Sequence, residues 1–204
     1  MGVLYPCFCT RKDIAAEIEA AHGAPHLVHS GVEYGPDGPL YPGTCRSLSI
    51  RERADKIKAG VPFAMRLNME RAVRIGHQRC GPLHWHDAKR GDIVGTPEMF
   101  GDTVLARKDV PTSYHLSVTL DDHLQGVNLV TRGEDLFPAT HIHRLLQALL
   151  GLDVPRYHHH GLLLGPSGKR LAKRDQAETL RSLRETGHSP ADVWHMAGFD
   201  APLP

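Results

Sequence analysis

No apolar run in this 204-residue sequence approaches the roughly 20 residues that cross a bilayer. The N-terminus shows no charged segment followed by an apolar one, so no secretory pattern is read there and the expected compartment is the cytoplasm. An excess of either charge sign is missing too. Lys and Arg number 24 against 23 Asp and Glu, so a nucleic-acid surface would have to be a local patch. Internal repeats and low-complexity tracts are absent. Cysteine is scarce: Cys7, Cys9, Cys45 and Cys80 do not make a secreted disulfide framework in a chain of this length. What remains, 41% hydrophobic and 23% charged, is ordinary for a globular protein. Such a length holds one large domain or two small ones.

Capping patterns mark several helices. Thr10 with Asp13 reads as a capping box, followed by Ile14, Ile18 and Ala21 on one face. Residues 22–46, rich in Gly, Pro and His, read as loop. Ser49 with Glu52 opens a short helix that Gly60 closes. Val61–Leu67 is strand-like. In Ser113–Leu120 the alternation of side chains points to a strand. Val127–Thr131 reads as a buried strand, and an amphipathic helix with the stripe Ile142, Leu145, Leu146, Leu149 and Leu150 follows, ended by Gly151. Tyr157–Leu164 reads as another strand, running into the turn Gly165–Gly168. Asp175 with Glu178 caps a helix that stops at Gly187, and Ser189-Pro190-Ala191-Asp192 starts a last one. The strand–helix alternation of the second half predicts a parallel sheet, and the first half a mixed α+β module.

Two cysteines one residue apart suggest a metal more than a bridge. On an extended or turning backbone both Cys7 and Cys9 can face one ion, with Cys45 as a third thiolate. The helix from Thr10 would point its positive end towards that negative cluster. Tetrahedral zinc needs a fourth ligand. Tyr41 is a candidate if a dication favours its phenolate, and Cys80, His22, His26 and His29 compete for the place. Cysteines packed as small apolar groups are the alternative. The run His158-His159-His160 falls in strand-like sequence, so alternate rings face opposite sides; packing and stacking are expected of it rather than metal. His84/His86 and His141/His143 name no site by spacing.

The segments Tyr5-Pro-Cys-Phe-Cys-Thr-Arg11 and Tyr41-Pro-Gly-Thr-Cys-Arg46 resemble the zinc-binding insertion of glutamyl-Q tRNA(Asp) synthetases. Pro111-Thr-Ser-Tyr-His-Leu116, Asp121-Asp-His123, Arg132-Gly-Glu-Asp-Leu136 and Ala139-Thr140 resemble the core of the class I glutamyl- and glutaminyl-type synthetases. Tyr157–His160, then Gly168-Lys-Arg-Leu-Ala-Lys-Arg174, is similar to their lysine signature loop. These stretches run in the family's order over nearly the whole chain. The resemblance implies an α/β fold, the C-terminal part of a Rossmann-like catalytic core carrying a zinc-bearing α+β insertion. It divides the chain at 1–110 (zinc-bearing module) and 111–204 (second half of the core), and makes Ser113–Leu120 a helix.

The resemblance also assigns roles. Cys7, Cys9, Tyr41 and Cys45 would hold a structural zinc, and Tyr114 and Arg132 would line a glutamate pocket. An arginine suits that task, because its permanent charge pairs with a carboxylate through two hydrogen bonds. An ion pair of Arg132 with Glu134 or Asp135, and a half-buried core position for Tyr114, are the structural alternatives. Lys173 would stabilise the charge that builds on phosphoryl oxygens during ATP-dependent activation, within the ATP-binding loop Arg170, Leu171, Ala172, Lys173 and Arg174. A solvated basic turn is the plain alternative there, and Ala172 replaces the family's usual serine. The implied partners are glutamate, ATP with magnesium, and tRNA(Asp), whose queuosine would be the acceptor; a monomer is implied for the complete protein.

Two departures shape the expectation. The family's His-x-Gly-His motif does not occur, and its place would be upstream of Met1, as if the sequence began within a fold. The chain alone is therefore expected to show no ATP–pyrophosphate exchange. It ends soon after Trp194, where a glutamyl-tRNA synthetase would continue into an anticodon-binding domain, which favours the glutamyl-Q type. A truncated glutamyl-tRNA synthetase and a non-catalytic tRNA- or zinc-binding remnant are the rival readings.

Overall fold

Strand β1 (Leu4–Cys7) carries the first cysteine straight into a sheet. The structure, a computed structural model, describes residues 1–22, 33–164 and 179–199. It divides into two units, Met1–Arg132 with Leu136–His159, and Gly133–Asp135 with His160–Pro204. In the first unit β1 is followed by α1 (Arg11–His22), the short strands β2 (Tyr34–Gly35) and β3 (Gly38–Pro39), and a 3-10 turn at Thr44–Arg46. Helix α2 (Ile50–Lys58), β4 (Ala64–Leu67) and α3 (Met69–Cys80) come next, then the hairpin β5 (His84–Asp87) and β6 (Gly91–Val94). Strand β7 (Val104–Ala106), α4 (Tyr114–Leu124), β8 (Leu129–Gly133), α5 (Ala139–Leu150) and β9 (Arg156–His160) complete the order.

Two sheets position everything that matters for function. One is antiparallel, ordered β1-β4-β7, with Cys7 opposite Ala64. The other is ordered β6-β5-β9-β8: β5 and β6 run antiparallel, while β5 and β9 run parallel with Asp87 opposite Tyr157. The caps behave as their sequences require. Thr10 Oγ1 accepts from Asp13 N–H at 3.2 Å while Asp13 Oδ2 accepts from Thr10 N–H at 2.6 Å, and Ser49 and Glu52 close a reciprocal box on α2. Ser113–Leu120 lies on a helix, as the resemblance implied and against its alternation, with Ser113 capping α4 by accepting from Leu116 N–H. A short alternating run is outweighed here by a cap and by packing on α5.

Two expectations need correction. Strand β8 is not buried: it is the outer strand of its described sheet, with Leu129 at 42% exposure and Thr131 exposed. Helix α5 is more than amphipathic, since every residue from Ala139 to Leu149 is buried. Leu150 alone turns outward. The reason is its surroundings: α3, α4 and the 3-10 turn Pro97–Phe100 all pack on it, so its polar side chains are enclosed and must find partners. Arg144 Nε donates to the His84 carbonyl at 2.8 Å, and His141 Nδ1 accepts from Thr96 N–H at 2.9 Å. Helix α3 meets α5 closely at Gly76, where a Cβ would stand 3.0 Å from Leu145 Cδ1.

Ile142, Leu145, Leu146 and Leu149 join Leu67, Val73 and Leu83 in the main core. Leu145→Ala is expected to cost about 2–5 kcal/mol in urea unfolding, because its site is fully enclosed and collapses only in part. A cost under about 1 kcal/mol would contradict this packing.

In the second unit α6 (Leu180–Glu185) is capped by Thr179, and Gly187 follows it with φ 91°. Helix α7 (Pro190–Met196) starts from the box Ser189/Asp192, and Trp194 stacks on Phe199 with centroids 4.4 Å apart. The turn at Gly165–Gly168 and the cap at Asp175/Glu178 lie outside the described residues.

Candidate metal centre and arginine site

The first site forms where β1 ends and the turn Thr44–Arg46 comes back beside it. The sulfurs of Cys7, Cys9 and Cys45 lie within 4.8 Å of one another. Tyr41 Oη stands 3.4 Å from Cys7 Sγ and 3.5 Å from Cys9 Sγ, and Cys9 Sγ is 3.4 Å from Cys45 Sγ. Donors bound to one zinc at about 2.3 Å for sulfur and about 2.1 Å for oxygen stand roughly 3.5–3.8 Å apart at tetrahedral angles. The Tyr41–Cys7, Tyr41–Cys9 and Cys9–Cys45 separations are close to that spacing and all three sulfurs lie within 4.8 Å, so the donor set fits zinc.

The surroundings favour a negative sulfur at Cys45. Phe8 N–H donates to Cys45 Sγ at 3.3 Å, and α1 begins just after Cys9. Burial opposes ionisation of Cys45, yet its hydrogen bonds from Phe8, Tyr41 and Cys9 hold the thiol below its usual range. Burial pushes Cys9 up to about 11 and, with the Cys7 and Cys9 hydrogen bonds, raises the Tyr41 phenol well above its ordinary value. A metal entering here would displace those protons. Cations brace both loops from behind: Lys108 Nζ donates to the Phe8 and Cys9 carbonyls at 3.2 Å each, and Arg53 Nη2 to the Arg46 carbonyl at 2.7 Å. Among the competing fourth ligands, Cys80 sits at the end of α3, where its thiol meets the Gly76 carbonyl and Arg144. The side chain of His22, and all of His26 and His29, lie outside the described residues.

The second site lies at the carboxyl end of β8, where open α/β sheets bind ligands. Arg132 Nη1 donates to Tyr114 Oη and faces His143 Nδ1, both at 3.3 Å. Its Nη2 donates to Thr140 Oγ1 at 2.5 Å, and its Nε to His159 Nε2 at 3.0 Å. His143 Nε2 in turn meets His115 Nδ1 at 3.2 Å. These imidazoles are kept neutral. Burial, then Arg132 and the neighbouring rings, push His143 down to about 2. Burial likewise lowers His115, and lowers His159 against the opposing pull of Asp87. The guanidinium is thus cradled by neutral acceptors, and Tyr114 is half exposed beside it. Such a fixed charge is suited to receiving a carboxylate.

Tyr114 and Arg132, 18 residues apart in sequence, are brought into contact. Sequence reasoning missed His115, Thr140, His143, His159 and Asp87 as their surroundings. The resembling segments contained His115, Thr140 and His159 without giving them a role, and nothing singled out Asp87. His159 does stack on Tyr157, at 5.8 Å and 8°, but it is also the hydrogen-bonding partner of Arg132. Lys173 and its neighbours Arg170, Leu171, Ala172 and Arg174 lie outside the described residues.

Comparison with known proteins decides the family. The family described as tRNA synthetases class I (E and Q), catalytic domain, matches residues 1–196. The chain belongs to this family. Within the class I E and Q synthetases it is similar to the glutamyl-Q tRNA(Asp) synthetase of Rhodobacter capsulatus, 48% identical over 97% of this chain and 68% of that protein. The glutamyl-Q tRNA(Asp) synthetase of Nocardia farcinica is 43% identical over 94% of this chain and 54% of its own length. The chain therefore spans between about half and two thirds of these two relatives. A crystal structure of a glutamate tRNA ligase from Elizabethkingia meningosepticum superposes with a TM-score of 0.61 at 26% identity, covering 92% of this chain and 34% of that one. The class I α/β core with a cysteine cluster fit for a structural zinc is thereby established. No helix among the described residues is long and apolar enough to cross a membrane.

Proposed function

We propose that this protein serves the ATP-dependent attachment of glutamate to queuosine in the anticodon of tRNA(Asp), in the cytoplasm. The observation that carries the reading is the oriented Arg132 guanidinium beside Tyr114, in a chain 48% identical to a protein named for that substrate. Arg132 would receive a carboxylate of glutamate and Tyr114 would lie against it. ATP with magnesium would be attacked at its α-phosphate by the other carboxylate. Lys173, in the loop with Arg170, Leu171, Ala172 and Arg174, would stabilise the charge on the departing pyrophosphate. Cys7, Cys9, Cys45 and Tyr41 would hold zinc structurally within the module 1–110, leaving 111–204 to the core. A similarity to the glutamate–tRNA ligase of Aquifex aeolicus, 33% identical over 95% of this chain, supports the second reading, charging of tRNA(Glu).

The test joins this chain to a family segment carrying the His-x-Gly-His motif and supplies ATP, labelled glutamate and tRNA(Asp) with or without queuosine; the chain alone is expected to transfer none. Label is expected only on the queuosine form. Label on tRNA(Glu) instead would favour the second reading, and bound glutamate without transfer to either tRNA would leave a non-catalytic binding role. Arg132→Ala is expected to weaken glutamate binding by about ten-fold or more, the worth of hydrogen bonds to a charged group, with ATP binding little changed. Equal weakening of both would contradict the assignment.

A further inference from the structure

Behind Arg132, on the far side of the His159 ring, lies a buried carboxylate. Asp87 ends β5 and is fully buried. Its Oδ1 accepts from the N–H groups of Lys89 and Arg90 at 2.9 and 3.1 Å, closing the hairpin turn. Its Oδ2 lies 2.6 Å from His159 Nδ1 and accepts from His159 N–H at 3.3 Å. The parallel pairing of β5 with β9, Asp87 opposite Tyr157, sets this alignment.

A buried carboxylate can only accept. Facing Nδ1, it requires the His159 proton to sit on that nitrogen, which leaves Nε2 bare. The bare Nε2 is what Arg132 Nε–H meets at 3.0 Å. Because the guanidinium is planar, pinning Nε fixes the direction of both other nitrogens. Nη2 then meets Thr140, and Nη1 is offered between Tyr114 and His143. With the opposite tautomer, Nε2–H would confront Nε–H, two donors face to face.

We propose that Asp87 is a positioning residue for the glutamate site, fixing the plane of the Arg132 guanidinium through the tautomer of His159. The proposal rests on the reading of Arg132 as the partner of glutamate. Asp87 touches no substrate itself. Its influence on binding is exerted entirely through the ring between.

The experiment uses the full chain labelled with 15N at histidine and arginine, beside Asp87→Asn. Asparagine keeps an oxygen for the two turn amides but sets an NH2 group against His159, so the ring is expected to move its proton to Nε2. The same exchange behind a catalytic histidine is known to impose the wrong tautomer. In the natural protein the His159 resonances should show Nδ1 protonated and Nε2 bare, and Arg132 Nε–H should exchange slowly with water. In Asp87→Asn the proton should appear on Nε2, and Arg132 Nε–H exchange should quicken about ten-fold or more. Glutamate affinity should fall about ten-fold, with ATP affinity unchanged. Unchanged protection of the Lys89 and Arg90 amides shows that the turn survives. A swapped tautomer with unchanged Arg132 exchange and unchanged glutamate affinity overturns the proposal. If the variant does not fold, the natural protein decides alone: a bare Nδ1, or a fast-exchanging Arg132 Nε–H, overturns it. Should the natural protein show the ordered Arg132 yet bind no glutamate, the glutamate reading fails and the positioning of Arg132 by Asp87 stands.

Discussion

Replacing Cys7 and Cys9 together by serine is expected to remove bound zinc, from about one ion per chain to none, and to unfold the segment around α1. The apolar packing at that end is thin. Among the described residues Tyr5, Cys7 and Cys45 are its buried members, with Phe8, Cys9, Tyr41 and Leu48 partly covered around them. Two of the three buried groups are candidate ligands, so a bound ion would take the place of a hydrophobic centre. Structural zinc binds with about 10–16 kcal/mol in small peptides, and where binding and folding are coupled that energy is folding energy. Even a fraction of it exceeds what this small cluster supplies through burial. Metal analysis and hydrogen exchange of residues 5–22 check the result; full zinc occupancy in the double variant would sink the assignment. Tyr41→Phe is the finer probe, and unchanged zinc affinity there would hand the fourth position to water or to a histidine.

Acid is expected to destabilise the protein early and steeply. His141 and His143 are buried, and burial pushes them down to about 4 and about 2. An unfolded histidine titrates near about 6.5. Below that pH the unfolded chain binds protons that the folded chain refuses, so stability is present above about 6.5 and is lost as pH falls towards the folded values. Well below pH 6.5 each ring contributes a slope of about 1.4 kcal/mol per pH unit, and from pH 6.5 to 5 the two together cost about 3 kcal/mol. The check is the urea midpoint measured across that range on metal-free protein, so that thiol protonation does not contribute through the metal. His141→Asn, whose oxygen can still accept from Thr96 N–H, should remove about one proton from the slope. A midpoint flat between pH 7 and 5 would mean that these rings are protonated in the folded state.

Local signals carried much of the fold. The boxes at Thr10/Asp13, Ser49/Glu52 and Ser189/Asp192 each formed as written, because a cap involves only residues three apart. Residue type and local spacing also suggested the metal cluster, although the sequence could not choose its fourth ligand. What failed depended on distant neighbours. The burial of Arg144 and Gln147 on α5 follows from elements that enclose the helix, which its own periodicity cannot report. The surroundings of Arg132 were the largest omission. Asp87, His115, His143 and His159 come from four different elements, and no spacing rule links them. The resemblance drew attention to Arg132 and Tyr114 but was silent about what holds them.

The pairing of Asp87 with Tyr157 also sets a timetable for synthesis. The hairpin β5–β6 is complete once residue 94 is made, but its parallel neighbour arrives only with residues 156–160. At translation rates of about 5–20 residues per second, the edge of β5 waits several seconds on the ribosome for that partner. The three cysteines have all been added by residue 45, and the sheet β1-β4-β7 by residue 106. The zinc end can therefore mature first, while the nascent chain still carries an open strand edge. During that interval Asp87 has its turn amides but not its histidine, and Arg132 lacks its Nε partner until β9 docks.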